Sequence, residues 1–298
     1  MNSIQKRNSF IALVLIVCFA GLTLYSSVRL ANIHRRIKLF NDLEKKINLE
    51  FANLDINLSF FIKDLKFPGL DISYRSQERF PGASLIKLPI LAVVFEAVAD
   101  KKISLDNKVI IKKRDIFGGS GELKSRELPC EVSIKELLKL MISASDNTAT
   151  NKIVSILSFK YINAKFKELG LNNTILARRM MDFKKRRKGI ENYISSYDIV
   201  LVLEKIYKKK LVNEELSNLA LSFLTRQKVN DRIPLYLPKE VSVAHKTGLE
   251  RGVVHDAGIV FTPKSDYIIC VLVKDAKSYK QAKKIIAQVS LLTYNLYQ

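Results

Sequence analysis

The sequence holds only three cysteines, Cys18, Cys130 and Cys270, and an odd, widely spaced set is no disulfide framework. Cys18 falls inside an apolar run, which leaves Cys130 and Cys270 as the one conceivable pair; free thiols are the expectation. Histidine is equally scarce. His34, His245 and His255 are scattered, no Cys/His cluster has zinc spacing, and neither a metal nor another cofactor is expected. Acidic residues are few as well: 29 Asp plus Glu stand against 50 Lys plus Arg, a net charge of +21. Such an excess suits nucleic acid, an anionic membrane surface or an acidic polymer. The basic residues are spread along the whole chain without a recognisable nucleic-acid motif, so no nucleic-acid partner is expected. The charge reads mainly as solvated lysine, with attraction to an anionic cell envelope as the second reading. Internal repeats and low-complexity linkers are missing too. With 48% hydrophobic residues the chain is not wholesale disordered, and its 298 residues suit one long domain or two small ones.

The N-terminus carries the longest uncharged stretch. Residues 1–9 read as a polar cytoplasmic tail with Lys6 and Arg7, followed by Phe10–Val28, an apolar run without charge. At about 1.5 Å per helical residue, the run reaches about 28 Å, close to a bilayer core. A cleaved signal peptide competes with this reading, but no clean small-x-small site follows the run. A lipoprotein would need a smaller residue than Val17 before Cys18, and Cys18 sits in mid-run. The expectation is an uncleaved, single-pass transmembrane anchor. Charge does not settle its orientation, because Arg29, Arg35, Arg36 and Lys38 lie on the far flank. The motifs below favour a domain outside the cytoplasm, periplasmic or extracellular.

Residues 29–56 read as a juxtamembrane segment and first helix, with apolar residues at Ile37, Phe40, Leu43, Ile47 and Phe51. From residue 57 to 298 the pattern is that of one α+β domain. Two short strands, Asn57–Ile62 and Leu70–Tyr74, are joined around Pro68-Gly69. Helices dominate the middle: Ser84–Ala99, Ser133–Ser143, Asn147–Leu157, Ile162–Leu169 and Ser196–Tyr207. Strands return at Val241–His245, Asp256–Phe261 and Tyr267–Val273, and a helix over Ser278–Tyr297 closes the chain. Strands at both ends with helices between them predict a mixed or antiparallel sheet, flanked by helices, whose first strands pair with its last. An all-helical lobe is inserted between them.

Three short motifs carry chemistry. In Ser84-Leu85-Ile86-Lys87 a spacing of three sets the hydroxyl and the amine on one helical face, just after the chain-breaking Phe80-Pro81-Gly82. A serine is a poor nucleophile until a base takes its proton, and a lysine serves when burial and nearby charge lower its pKa. A helix N-terminus adds free N–H groups for a developing oxyanion. The same spacing recurs in Ser3-Ile4-Gln5-Lys6, in the tail, as chance. Ser145-Asp146-Asn147 offers a hydroxyl to relay a proton to a leaving nitrogen and an amide to grip a substrate amide, or a plain cap for the following helix. Lys246-Thr247-Gly248 ends an apolar alternation. It supplies a cation and a hydroxyl for a substrate carboxylate, with a glycine that permits close approach.

Each triplet is weak alone, but the three in this order mark the penicillin-recognising serine enzymes. Their spacing, the segment FPGASLIKLP at 80–89, Gly119-Ser120-Gly121 with Leu123, and LKLMISASDNTATN at 138–151 resemble class A β-lactamases. His245–Gly248 and His255-Asp256-Ala257-Gly258 resemble a branch of class A-like proteins, and the similarity runs from about Asn57 to the C-terminus. The resemblance implies a monomeric hydrolase that opens β-lactams through an acyl-serine and so contributes to resistance. Ser84 would be the nucleophile, Lys87 its proton partner, and Ser145 the donor to the lactam nitrogen. Asn147 would hold the side-chain amide, Lys246 and Thr247 with Gly248 the carboxylate, and the N–H groups of Ser84 and Leu249 the oxyanion. One departure stands out. The family's Glu-x-x-Leu-Asn stretch, which activates the deacylating water, has no counterpart in Thr174–Asn192, where the acids are Asp182 and Glu191. Asp182 is the candidate base there, against an ordinary salt bridge. A peptidoglycan D,D-peptidase, or a penicillin-binding protein that deacylates slowly, acting on stem peptides, is therefore the alternative. A non-catalytic sensor domain is the third.

Overall fold

A computed structural model describes residues 3–51, 56–67 and 69–298; the side chains of residues 3–14, 16, 17, 48 and 51 lie outside the description. The chain divides into two compact units, Met1–Glu50 and Phe51–Gln298. Within the first, residues 3–50 belong to helix α1 (Ser3–Phe51), which takes in the helix expected at its C-terminal end. Among the described residues no helix is long and apolar enough to cross a membrane. The expected span Phe10–Val28 falls within α1, but several of its side chains, together with residues 1 and 2 of the tail, lie outside the described residues. Pro68 of the expected strand connection also lies outside them, while Gly69 is described in a left-handed turn.

The second unit is α+β. Its chain order is β1 (Asn57–Asp64), β2 (Asp71–Tyr74), β3 (Phe80–Pro81), α2 (Lys87–Ala99), β4 (Lys108–Ile111), β5 (Cys130–Ser133), α3 (Ile134–Ser143), α4 (Asn147–Leu157) and α5 (Phe159–Glu168). It continues with α6 (Phe183–Arg187), β6 (Tyr193–Ile194), α7 (Ser196–Tyr207), α8 (Glu214–Leu224), β7 (Val243–Glu250), β8 (Val253–Val260), β9 (Tyr267–Lys274) and α9 (Tyr279–Tyr294). Five strands form one sheet in the order β2-β1-β9-β8-β7. The first strands do pair with the last, Phe60 opposite Val271, and every pairing is antiparallel, so of the two expected forms the sheet takes the antiparallel one. The β7–β8 hairpin runs further than the sequence pattern suggested, to Glu250 and back from Val253, because Gly252 supplies the positive φ its turn requires.

Strand β9 is buried on both faces, as its unbroken YIICVLV run demands. Ile268, Cys270 and Leu272 join the main core with α2 and α7, whereas Tyr267 turns to the other face and stacks on Tyr297 beyond α9 at 4.4 Å. All three cysteines are free. Helix α2 is apolar nearly all round and runs through the centre of the core; its Pro89 sits in the first turn, where no helical N–H is needed. Side-chain caps start most of the remaining helices: Ser133 for α3, Asp146 for α4, Ser158 for α5, Ser195 for α7, Asn213 for α8 and Ser278 for α9.

Candidate active site

Ser84 stands on a short 3-10 turn, Ala83–Ile86, that feeds α2. The turn is strained and firmly held. Ala83 has φ +41, a region that costs a side-chain-bearing residue about 1–3 kcal/mol. Gly82 N–H donates to Asn192 O at 2.7 Å, β3 pairs with β6, and His255 Nε2 meets Pro81 O at 2.7 Å from β8. Burial lowers the His255 pKa to about 4 against the pull of those two backbone carbonyls, Pro81 and Val254, so the ring is neutral. It donates through Nε2 and accepts from Val273 N–H at Nδ1. On the other side the turn packs against edge strand β7. A Cβ on Gly248 would lie 3.3 Å from Leu85 N and 3.2 Å from His255 Cβ, so this glycine serves the approach of the Ser84 turn itself.

Lys87, one turn on, is fully buried. Its Nζ donates to Ser145 O at 2.7 Å, Asn147 Oδ1 at 2.8 Å and Ser145 Oγ at 3.2 Å. Burial pushes its pKa well below the ordinary lysine value, the Lys246 ammonium lowers it further, and the Asp146 carboxylate opposes both. Ser145 has φ +54, which swings its hydroxyl between the two amines, with Lys246 Nζ at 3.1 Å on the far side. Lys246 is buried too and also donates to Thr247 O at 2.8 Å. Burial brings its pKa down to about 7, with the Asp256 carboxylate pulling upward and the Arg232 guanidinium downward. Asp256 is fixed beneath it by His245 Nδ1 at 2.9 Å and Ile233 N–H at 3.1 Å.

Above these groups opens a cavity of about 310 Å³ whose wall includes Ser84, Ser120, Ser145, Arg232, Thr247 and Leu249. Seven expected residues are thus brought together: Lys87, Ser145, Asn147 and Lys246 by hydrogen bonds, and Ser84, Thr247 and Leu249 with Ser145 in one wall. Gly248 backs them. Asn147 has duties of its own, since its Oδ1 holds Lys87 and its Nδ2 donates to Gly118 O at 3.0 Å. Sequence reasoning missed Arg232. It is buried, paired with Asp231 at 2.8 Å, and its Nε has no partner among the described residues. Arg232 places a second cation near Lys246, in the wall that also carries Thr247. Asp146 was also under-read. It caps α4 through Ala149 N–H and receives Glu122 and Leu123 N–H at 2.7 and 2.9 Å, tying the loop at 117–123 to the site.

Asp182 is not brought to the site. Its carboxylate accepts Lys185 N–H at 3.0 Å as the N-cap of α6, and it is not in the cavity wall. The cause is the loop that carries it. Arg178 is buried among Glu191 and Glu250 at 2.8 Å each, and Asn192 Oδ1 receives Ala177 and Arg178 N–H. Asn151 clamps the backbone of Met180 at 2.8 and 3.1 Å. This turns Met181 toward the Gly119 loop, where its Sδ would stand 3.0 Å from a Cβ at Gly119, next to Asn147 Nδ2. Glu122 is the carboxylate in the cavity wall, and it is paired with Lys228 at 2.5 Å.

Comparison with known proteins agrees with this fold. Beta-lactamase VEB-1 of Pseudomonas aeruginosa is 24% identical over 96% of this chain and 97% of its own length. The crystal structure of a β-lactamase from Sphaerobacter thermophilus DSM 20745 superposes with a TM-score of 0.77 at 24% identity, covering 86% of this chain and 95% of that one. A mutant of PBP-A, solved as its acyl-enzyme complex with penicillin G, superposes at 0.78 with 28% identity, covering 86% and 96%. The sequence profile of the β-lactamase enzyme family matches residues 42–297, and the chain belongs to that family.

Proposed function

We propose that this protein opens β-lactams through a covalent acyl-serine and hydrolyses the ester. The observation that carries this reading is the Ser145 hydroxyl held between the Lys87 and Lys246 amines at 3.2 and 3.1 Å, in the wall that also carries Ser84. In its neutral form, which burial favours, Lys87 accepts the Ser84 proton as Oγ attacks the lactam carbonyl. The Ser84 N–H and that of Leu249, on an edge strand, receive the oxyanion. Ser145 passes a proton to the lactam nitrogen as the ring opens and recovers one from the Lys87 ammonium, 3.2 Å away. Lys246, Thr247 and Arg232 bind the substrate carboxylate, and Asn147 offers its second amide hydrogen to the acyl side chain. No step calls for a metal.

A second reading, a D,D-peptidase or penicillin-binding protein that keeps its acyl group, is favoured by one observation: Asp182 caps α6 and is not in the cavity wall. Intact-mass kinetics with benzylpenicillin separate the two. An adduct that forms and clears within minutes supports hydrolysis, and one that persists for hours supports the second reading.

The uncharged run Phe10–Val28 supports a further proposal, a single-pass anchor that follows a tail of residues 1–9. The domain of residues 57–298 would then lie outside the cytoplasm as a monomer. A mature protein that is soluble and starts after residue 28 would overturn the anchor.

A further inference from the structure

A second, larger cavity lies apart from the Ser84 cleft. It measures about 670 Å³, and its wall is formed by Lys112, Lys113, Ile116, Lys124, Arg126, Leu128 and Pro129. Four of these seven side chains are cations and none is an acid. Arg126 is neutralised by Glu136 at 2.6 Å. The other three are not neutralised. Among the described residues the exposed Lys112 and Lys113 ammonium groups have no ion-pair or hydrogen-bond partner, and Lys124 has only the Gly119 carbonyl, which fixes it at the cavity edge. Three ammonium groups round one concavity repel each other, and an anion placed between them relieves that repulsion. Ile116, Leu128 and Pro129 supply an apolar surface beside the cations, and the volume lies within the roughly 300–1,000 Å³ usual for small-molecule sites.

We propose that this cavity binds a small, soluble phosphate monoester, its dianionic head among Lys112, Lys113 and Lys124 and its apolar body on Ile116, Leu128 and Pro129. Phosphate suits the arrangement better than a single carboxylate, because three oxygens and up to two charges can serve three ammonium groups that approach as point charges. No group of the Ser84 site takes part.

The test is calorimetric titration of the full chain in detergent with phenyl phosphate, with phenol titrated in parallel. The expected result is saturable binding of one phenyl phosphate and none of phenol. In Lys112→Gln/Lys113→Gln the affinity should fall by about tenfold or more, as expected for loss of charge-assisted contacts. That double variant should keep its melting temperature and its acylation by penicillin. Lys124→Gln should weaken binding as well. No saturable binding in the wild type, equal affinity in both variants, or loss of phenyl phosphate binding once Ser84 is acylated would each overturn the proposal.

Discussion

Two buried amines set the chemistry of the cleft, and each gives a prediction. In the proposed mechanism Lys87 acts as a base only without its proton, so kcat/KM for a penicillin should rise with pH as that amine titrates. Lys246 binds the carboxylate only with its proton, and its pKa is lowered to about 7, so the rate should fall again above that value. The expected profile is a bell whose limbs belong to the coupled pair. Lys246→Arg, which keeps the charge at high pH, should move the falling limb upward; an unmoved limb would assign it to another group. His255 gives a stability prediction. Its folded pKa, about 4, lies below the ordinary histidine value of about 6.5. Between these values the unfolded chain binds a proton that the folded one does not, so this group's contribution is full above about pH 6.5 and is lost as pH falls. The shift corresponds to about 3 kcal/mol at most. His255→Gln should show a flatter difference in unfolding free energy between pH 7 and pH 4 than the wild type, measured by urea titration. Identical slopes would remove the histidine from the account.

Among the elements, the loop between α5 and α7 carries Asp182, the expected base. Asp182 caps α6, and asparagine caps about as well as aspartate. Asp182→Asn should therefore leave both melting temperature and steady-state turnover of penicillin unchanged. A fall in turnover of about 10²–10⁴ would instead restore it as general base. Here the sequence was hard to read for a physical reason. An acid at the right place in a loop looks like a base until the loop's anchors are known, and the anchors, Arg178, Asn192 and Asn151, are residues whose contacts lie far along the chain. The three motifs were legible because each is local: three residues on one turn, one loop or one strand end. Arg232 was not, since nothing near it in sequence tells that it folds against Lys246. Helix α8 escaped notice although Asn213 caps it and Leu216, Ala220, Phe223 and Leu224 repeat at helical spacing. The paired dipeptides β3 and β6 are too short to have a period. Gly121 shows how tightly the elements meet, with φ +135 and a Cβ that would fall 2.5 Å from the Asp146 carboxylate. Gly121→Ala should cost about 1–3 kcal/mol of stability by thermal melting and slow acylation, because the loop it belongs to borders Ser84. Full acylation with an unchanged melt would show that the loop has room to shift.

For the molecule as a whole, the expectation that the terminal strands pair held because alternation and burial are properties of whole segments, which survive errors at their ends, but the segment inserted between them is not all-helical as expected, since β4 pairs with β5 and β3 with β6 within it. The setting of Ser84 depends on that topology: β8 brings His255 to Pro81, β7 brings Lys246 to Ser145, and the chain between β3 and β7 supplies Ser84, Lys87, Ser145 and Asn147. The central claim is that this assembly makes Ser84 the single acylated residue. Peptide mapping by mass spectrometry after reaction with benzylpenicillin tests it most directly. The account predicts one adduct, on the peptide that contains Ser84, absent from correctly folded Ser84→Ala. An adduct on another residue, or one that survives in Ser84→Ala, would contradict it.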